Sequence, residues 1–284
     1  MPGYDDSPGH NGSCSPSEAF GTPSTEGILR DGETGPSFAE VRDVSMVFGA
    51  VEAVRRVSFS VGRGKIFGLV GSDGAGKSTL LRMIATMIRP VSGSIVIDGL
   101  DVVSRKEQAK TLIGYMPQRF GLYQDLTVEE NIDFFMNIFG IRRAERKRRK
   151  ERYLGFSNLL PFLDRQAGNL SGGMKQKLGL ACVLVHEPRL LILDEPTNGV
   201  DPVSRQEFWG ILGQMRRDGM TIVVSTAYLD EGEKCDALGL MHRAELLQVG
   251  TPAQIRSGFE TLEEAIIARI QAVDEELIHD TFKR

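Results

Sequence analysis

The run Gly71-Ser72-Asp73-Gly74-Ala75-Gly76-Lys77-Ser78-Thr79 limits what this chain can fold into more than any other segment. It matches G-x-x-x-x-G-K-[ST] and lies between the apolar run Lys65-Ile66-Phe67-Gly68-Leu69-Val70 and a stretch that reads as a helix from about Lys77. Glycines let such a loop curl so that successive N–H groups face an anion, and the following helix adds its N-terminal dipole. Strand, tight loop and helix in this order form one unit of an α/β fold with a buried parallel sheet. Every residue from Gly71 to Thr79 is therefore a candidate phosphate contact. Lys77 offers a point charge to the β- and γ-phosphates of a nucleotide, and Ser78 Oγ a ligand for Mg²⁺.

The rest of the chain can be placed around this unit. Residues 1–37 hold 7 Gly, 5 Pro and 6 Ser with six acids against one base, and are expected to be a disordered tail. From Phe38 the pattern changes: residues 38–48 and 51–61 alternate apolar and polar, as half-buried antiparallel strands do. Further strands are predicted at 94–98, 111–116, 190–194 and 220–225, with a helix from about Pro202. Residues 127–170 read as helical, and Thr127-Val128-Glu129-Glu130 has the form of a capping box. From residue 251 two short helices are expected, the second over Leu262–Ala272. No internal repeat is visible.

A second chemical station follows Leu190-Leu191-Ile192-Leu193, an apolar strand that ends in Asp194-Glu195-Pro196. Buried parallel strands present their chemistry at their C-terminal ends, so these acids belong beside the phosphate loop. Asp194 would ligate Mg²⁺ directly or through water. Glu195 would polarise an attacking water as general base.

Charge and cysteine content narrow the class further. With the acidic tail set aside, residues 38–284 carry a net charge of +1, which argues against nucleic acid as a partner. The three cysteines, Cys14, Cys182 and Cys235, are scattered and suit a reducing compartment rather than a disulfide framework. Cys182 stands among Leu178, Leu180 and Val183 and is expected to be buried. No apolar run approaches the roughly 18 residues that span a bilayer, so any membrane role is expected to come through a partner chain.

Leu170-Ser171-Gly172-Gly173-Met174-Lys175-Gln176 supplies the most specific motif. It resembles the signature of the ATP-binding cassette (ABC) proteins, and its position upstream of Asp194-Glu195-Pro196 strengthens the likeness. Ser171 can cap the helix that follows, leaving the Gly172 and Gly173 amides for a second anion. The resemblance covers roughly residues 38–250 and implies a P-loop NTPase core, α/β with a mixed, largely parallel sheet flanked by helices. It also implies an N-terminal antiparallel β subdomain and an inserted α-helical subdomain at about 120–170, with 251–284 as a helical extension. In this family two cassettes pack head-to-tail and each signature, Ser171 to Gly173 here, closes over the ATP of its partner. The same resemblance makes Phe48 an adenine-stacking residue, with a core phenylalanine as the competing reading. It makes Gln118 a glutamine near Mg²⁺ at the join between core and insert, and Asp201, in Asn198-Gly199-Val200-Asp201-Pro202, a residue at the cassette–cassette interface.

Taken together, the resemblance implies an ATP-binding and ATP-hydrolysing motor subunit, with Mg²⁺ as cofactor. It would pair with a second cassette, identical or different, and drive a separately encoded integral-membrane permease. Looser patterns, Gly121-Leu122-Tyr123-Gln124-Asp125-Leu126-Thr127 and Thr261-Leu262-Glu263-Glu264-Ala265, are similar to drug-resistance exporters of the ABC-2 type. The chain would then sit peripherally on the cytoplasmic face of a bacterial inner membrane. The basic run 142–152 is either a solvated helical face or an added contact to anionic lipid.

One station departs from the family. After Thr221-Ile222-Val223-Val224-Ser225-Thr226, where the family places a histidine facing the γ-phosphate, this chain has Ala227. A methyl group offers no hydrogen bond and no proton. His186 reads as a helix-end residue and His242 as a turn residue, and neither stands at the equivalent position. Two readings follow, a working but slow ATPase or a hydrolysis-impaired subunit paired with a competent cassette; a soluble ABC ATPase outside transport is a separate alternative.

Overall fold

In the computed structural model of the chain, residues 37–282 are described, with side chains as far as Glu275. The expected tail thus lies outside the described residues, apart from Ser37.

Strands β1 (Ser37–Phe48) and β2 (Val51–Gly62) form an antiparallel hairpin around Gly49, whose φ of +59° is the left-handed conformation a tight turn needs. Strand β3 (Ile66–Gly71) then enters a second sheet, and α1 (Lys77–Ile84) follows the glycine loop. Strands β4 (Ser92–Ile97) and β5 (Leu100–Asp101) return to the hairpin, which becomes a four-stranded antiparallel sheet ordered β2-β1-β4-β5. The predicted strand at 111–116 needs correction. Lys106–Leu112 forms helix α2 and only Ile113–Met116 is strand β6, because Thr111 and Leu112 complete the last turn of the helix.

The second sheet carries the site. Its order is β10-β9-β3-β8-β7-β6, with β7 (Leu190–Asp194), β8 (Thr221–Thr226), β9 (Ala237–His242) and β10 (Glu245–Gly250). β6, β7, β8, β3 and β9 run parallel and only β10 is antiparallel. Every residue of β7 and β8 is buried. The reason is that both faces are covered. Phe67, Leu69, Ile192 and Val223 point into a core shared with α1 and the antiparallel sheet. Ile66, Val70, Leu191, Leu193, Ile222 and Val224 point into a second core built from the helices. A sheet covered on both sides favours apolar strands, as in Leu190–Leu193 and Ile222–Val224, while the buried Ser225 and Thr226 at the end of β8 find hydrogen-bond partners.

Helices α3 (Val128–Ile138) and α4 (Arg143–Phe156) occupy the stretch expected as the insert, and α5 (Gly172–Leu184) follows it. The capping box is present: Thr127 Oγ1 accepts from Glu130 N at 3.1 Å and Glu130 Oε2 from Thr127 N at 2.8 Å. The basic run in α4 is largely consumed by ion pairs. Lys150 lies 2.8 Å from Glu129 and 2.7 Å from Asp133, Arg149 lies 3.0 Å from Glu187, and Arg148, Arg152 and Lys147 face Glu187, Asp218 and Glu151.

Beyond the insert come α6 (Pro202–Arg217), α7 (Leu229–Gly232), α8 (Pro252–Arg256) and α9 (Leu262–Phe282). The last is nearly twice the expected length. Thr261 caps it through Glu264 N at 3.1 Å, and no Gly or Pro after Ala272 stops it, so the helix outlasts the apolar periodicity that bounded the sequence reading.

One packing contact has a measurable consequence. A Cβ on Gly173 would lie 2.4 Å from both Ser204 Cβ and Oγ in α6, whereas a Cβ on Gly172 would meet nothing within 4 Å. Gly173→Ala is expected to cost roughly 1–3 kcal/mol through overpacking, and Gly172→Ala almost nothing. Chemical denaturation of the two variants checks this, and equal stability would refute the contact.

Candidate functional site

The glycine loop wraps the start of α1 with backbone that only glycine tolerates. Gly71 has φ +145° and a Cβ there would lie 1.8 Å from the Met241 carbonyl oxygen; Gly76 has φ +99° and would place one 2.1 Å from the Ala53 carbonyl oxygen. Gly74, with φ +75°, faces open space. Lys77 is 4% exposed and its Nζ donates to the carbonyls of Gly71 (2.9 Å) and Ser72 (3.0 Å), so its charge is folded back into the loop. Asp73 and Thr79 belong to the same loop and first turn.

Parallel register brings the acids to this loop. β7 lies beside β8, and β8 beside β3, so the C-terminal ends of all three strands open on one edge. Ser78 Oγ donates to Asp194 Oδ1 at 2.8 Å, and Ser225 Oγ donates to the same oxygen at 2.9 Å. Two oxygen donors so placed, with no cluster of three or more His, Cys, Asp or Glu among the described residues, suit a hard cation that takes its remaining ligands from phosphate and water. Tyr115, in β6, points its hydroxyl at Asp194 Oδ2 from 3.5 Å. Burial, with the Asp194 charge beside it, raises the Tyr115 phenol above its ordinary value and keeps it a donor.

Glu195 occupies the next position in an unusual backbone conformation, with φ +48°. A non-glycine residue held there costs free energy and persists only where its surroundings dictate it. Here Glu195 N donates to Ser225 Oγ (3.0 Å) and Ser225 O (3.2 Å). The turn aims the carboxylate toward three donors: Gln118 Nε2 at 2.9 Å, Asn198 Nδ2 at 3.2 Å and Lys77 Nζ at 3.8 Å. Lys77, Ser78, Asp194, Glu195 and Gln118, drawn from three separate segments, therefore meet at one place.

The remaining candidates lie around this group. Phe48 ends β1 and is 52% exposed, which removes the core alternative. Ser171 caps α5, its Oγ accepting from Met174 N at 3.3 Å, and Gly172 is open while Gly173 is spent on packing against α6. Asp201 caps α6 in the same way through Ser204 N at 2.9 Å.

Residues 54–198 match the family model described as ABC transporter. This chain belongs to the ABC transporter family. It is 48% identical over 200 residues to the Escherichia coli K12 protein named "Probable multidrug ABC transporter ATP-binding protein YbhF", covering 70% of this chain but only 35% of that protein. It is 33% identical over 234 residues to the linearmycin resistance ATP-binding protein LnrL of Bacillus subtilis 168, covering 81% of this chain and 75% of LnrL. A solved ATP-binding subunit of an ABC transporter superposes with a TM-score of 0.73 at 31% identity, covering 82% of this chain and 99% of that one. The α/β cassette architecture is thus as expected from sequence.

In this ABC cassette Ala227 is exposed in the bend after β8. Around it stands a buried network that no motif announced. Glu231, fully buried, accepts from Thr197 Oγ1 (2.9 Å), Thr226 Oγ1 (2.6 Å) and Arg205 Nε (3.0 Å). The Arg205 guanidinium also lies 3.7 Å above the Tyr228 ring. Arg205 and Glu231 thereby join the start of α6 to the bend that holds Ala227. Sequence reasoning also missed Ser225 and Tyr115, because a serine and a tyrosine at strand ends carry no pattern of their own.

His242 requires a correction as well. It reads as a turn residue, but it is the last residue of β9, 7% exposed, and hydrogen-bonds the phosphate loop at Ser72. Parallel pairing of β9 with β3 puts it there. His186 does follow the end of α5, and burial lowers its imidazole below the ordinary value. Cys182 is fully buried, and desolvation pushes its thiol well above the usual range.

Proposed function

We propose that this chain is the ATP-hydrolysing motor subunit of an ABC exporter, with a cassette at 38–250 and a helical extension at 251–284. The observation that carries it is the meeting of Lys77, Ser78, Asp194, Glu195 and Gln118 beside a glycine loop whose backbone admits no side chain at Gly71 or Gly76. The names of YbhF and LnrL support the exporter reading.

The roles follow from position. Amides of residues 71–79 hold the β-phosphate, Lys77 turns from the loop carbonyls to the β- and γ-phosphates, and Phe48 stacks on adenine. Ser78 and Asp194, with Gln118 alongside, hold Mg²⁺. When bound, that ion offsets charge on the phosphate oxygens. Glu195 accepts the proton of the attacking water, and Gln118 and Asn198 fix the orientation of its carboxylate. Preorganised donors of this kind act without reorganising during the reaction.

A cassette dimer, homo- or heteromeric, would complete the site, with Ser171, Gly172, Gly173 and Asp201 facing the ATP of the neighbour. Ser171 and Asp201 already serve as caps, so their helix N-termini are formed before any partner arrives. No helix among the described residues is long and apolar enough to cross a membrane. The chain would work on the cytoplasmic face through its permease, and any lipid contact by residues 142–152 must compete with the ion pairs of α4. Ala227 favours a second reading, in which this subunit hydrolyses poorly and completes the site of a different cassette.

Direct titration with Mg·ATP tests the first reading. Lys77→Ala is expected to bind roughly ten- to a hundredfold more weakly, the usual worth of hydrogen bonds from a charged group. Unchanged affinity would discard the phosphate site.

A further inference from the structure

Ser72, the second residue of the phosphate loop, is tied to a part of the fold far away in sequence. Its Oγ lies 2.9 Å from His242 Nδ1, and His242 Nε2 lies 2.8 Å from Asp274 Oδ1 in α9. Arg243 Nε reaches the same carboxylate oxygen at 2.9 Å. The chain of contacts thus runs from the C-terminal helix, through one imidazole, to the loop that would cradle the nucleotide.

Two further observations show that this contact is built in. Arg243 and Ala244, which turn the chain from β9 to β10, have φ of +46° and +70°. Neither is glycine, so the turn is costly and must be held from outside. Arg243 is held by Asp274. Helix α9 itself is anchored by Leu262, Ala265 and Ile266, all buried.

The chemistry dictates the tautomer. An ionised carboxylate can only accept, so Nε2 must carry the proton that it gives to Asp274. The hydrogen bond from His242 and the positive charge of Arg243 hold the Asp274 carboxyl below its usual range, so it stays ionised. In the neutral imidazole Nδ1 is then a bare lone pair, and the Ser72 hydroxyl donates to it. This fixes the direction of the Ser72 O–H and restrains the loop segment whose Ser72 carbonyl also receives Lys77.

We propose that His242 is a positioning residue of the nucleotide site, and that docking of α9 through Asp274 sets the affinity of the phosphate loop for Mg·ATP. This rests on the nucleotide reading above. The consequence is regulatory: whatever displaces α9, a permease loop or the second cassette, would loosen the phosphate loop without touching it.

Calorimetric titration of the full-length protein with Mg·ATP, with the apo thermal midpoint recorded for each variant, tests the proposal. His242→Ala and Asp274→Ala are each expected to weaken binding roughly three- to tenfold, the range of one lost hydrogen bond. Asp274→Asn, nearly isosteric and mild toward folding, is expected to weaken it in the same direction. Nitrogen NMR of the His242 imidazole should report the Nε2–H tautomer in the parent protein and a mixture in Asp274→Asn, a change that a purely structural role would not require. Ser72→Ala combined with Asp274→Ala should cost less than the two effects added, because both break one relay. Parent-like affinity in both Asp274 variants, strict additivity, or an unchanged tautomer would overturn the inference. Lys77→Ala, run in parallel, separates the two failures: if it weakens binding roughly ten- to a hundredfold while the Asp274 variants are silent, the nucleotide reading stands and only the relay falls.

Discussion

Glu195→Gln is expected to lower the ATP turnover of the cassette by roughly 10²–10⁴-fold, the range of a positioned general base. The amide keeps the volume of the carboxylate and can still meet Asn198, but it cannot take a proton from water. Binding of Mg·ATP should survive, since Lys77 and the loop amides are untouched. With hydrolysis blocked, the ATP-bound state should accumulate, and ATP should convert monomers into dimers that sedimentation or light scattering detects. Nucleotide can favour the closed dimer only through contacts made there and not in the monomer. Full activity in this variant would remove Glu195 as base. A protein that stayed monomeric with ATP, even beside its permease, would count against the two-cassette sandwich.

Ala227→His should act in the opposite direction, raising turnover by up to about 10²-fold, the usual worth of one preorganised donor to developing charge. The position can accept the larger side chain because it is exposed, at the bend between β8 and α7. The bend is itself held from behind: Tyr228 N donates to Thr226 Oγ1 at 3.0 Å and Glu231 is buried beneath it. A new imidazole at 227 would therefore start from a supported backbone. Steady-state ATPase assays of the parent and the variant, alone and with the permease, read the effect. No change in turnover would mean that the site has been rewired around alanine.

The chemistry of the site was legible because the motifs are local. A glycine loop between an apolar strand and a helix is recognisable without distant information, since glycine adopts the positive φ of Gly71 and Gly76 freely; the close approach of the Met241 and Ala53 carbonyls was not. The cap at Ser171 and the box at Thr127 were legible for the same reason, each being closed within three residues. Exposure of Phe48 was undecided in the sequence, since strand alternation places an aromatic equally well on either face near a strand end.

Other features could not be read along the chain. Helix α9 runs past Ala272 because no stop residue intervenes, and the loss of apolar spacing alone does not end a helix. The consumption of the α4 charges by Glu129, Asp133, Glu187 and Asp218 depends on how α3, α5 and α6 pack around it.

By itself the sequence determined that phosphate chemistry sits at the C-terminal ends of buried strands, because residue type and adjacent spacing suffice to form a loop, a cap or a strand end. Only the tertiary structure decided which side chains from elsewhere complete it: Ser225 and Tyr115 on Asp194, Gln118 on Glu195, Arg205 on Glu231, and His242 between Ser72 and Asp274. Those partners are chosen by strand order and register, and hydrogen bonds between residues 26 to 170 positions apart leave no trace in local spacing.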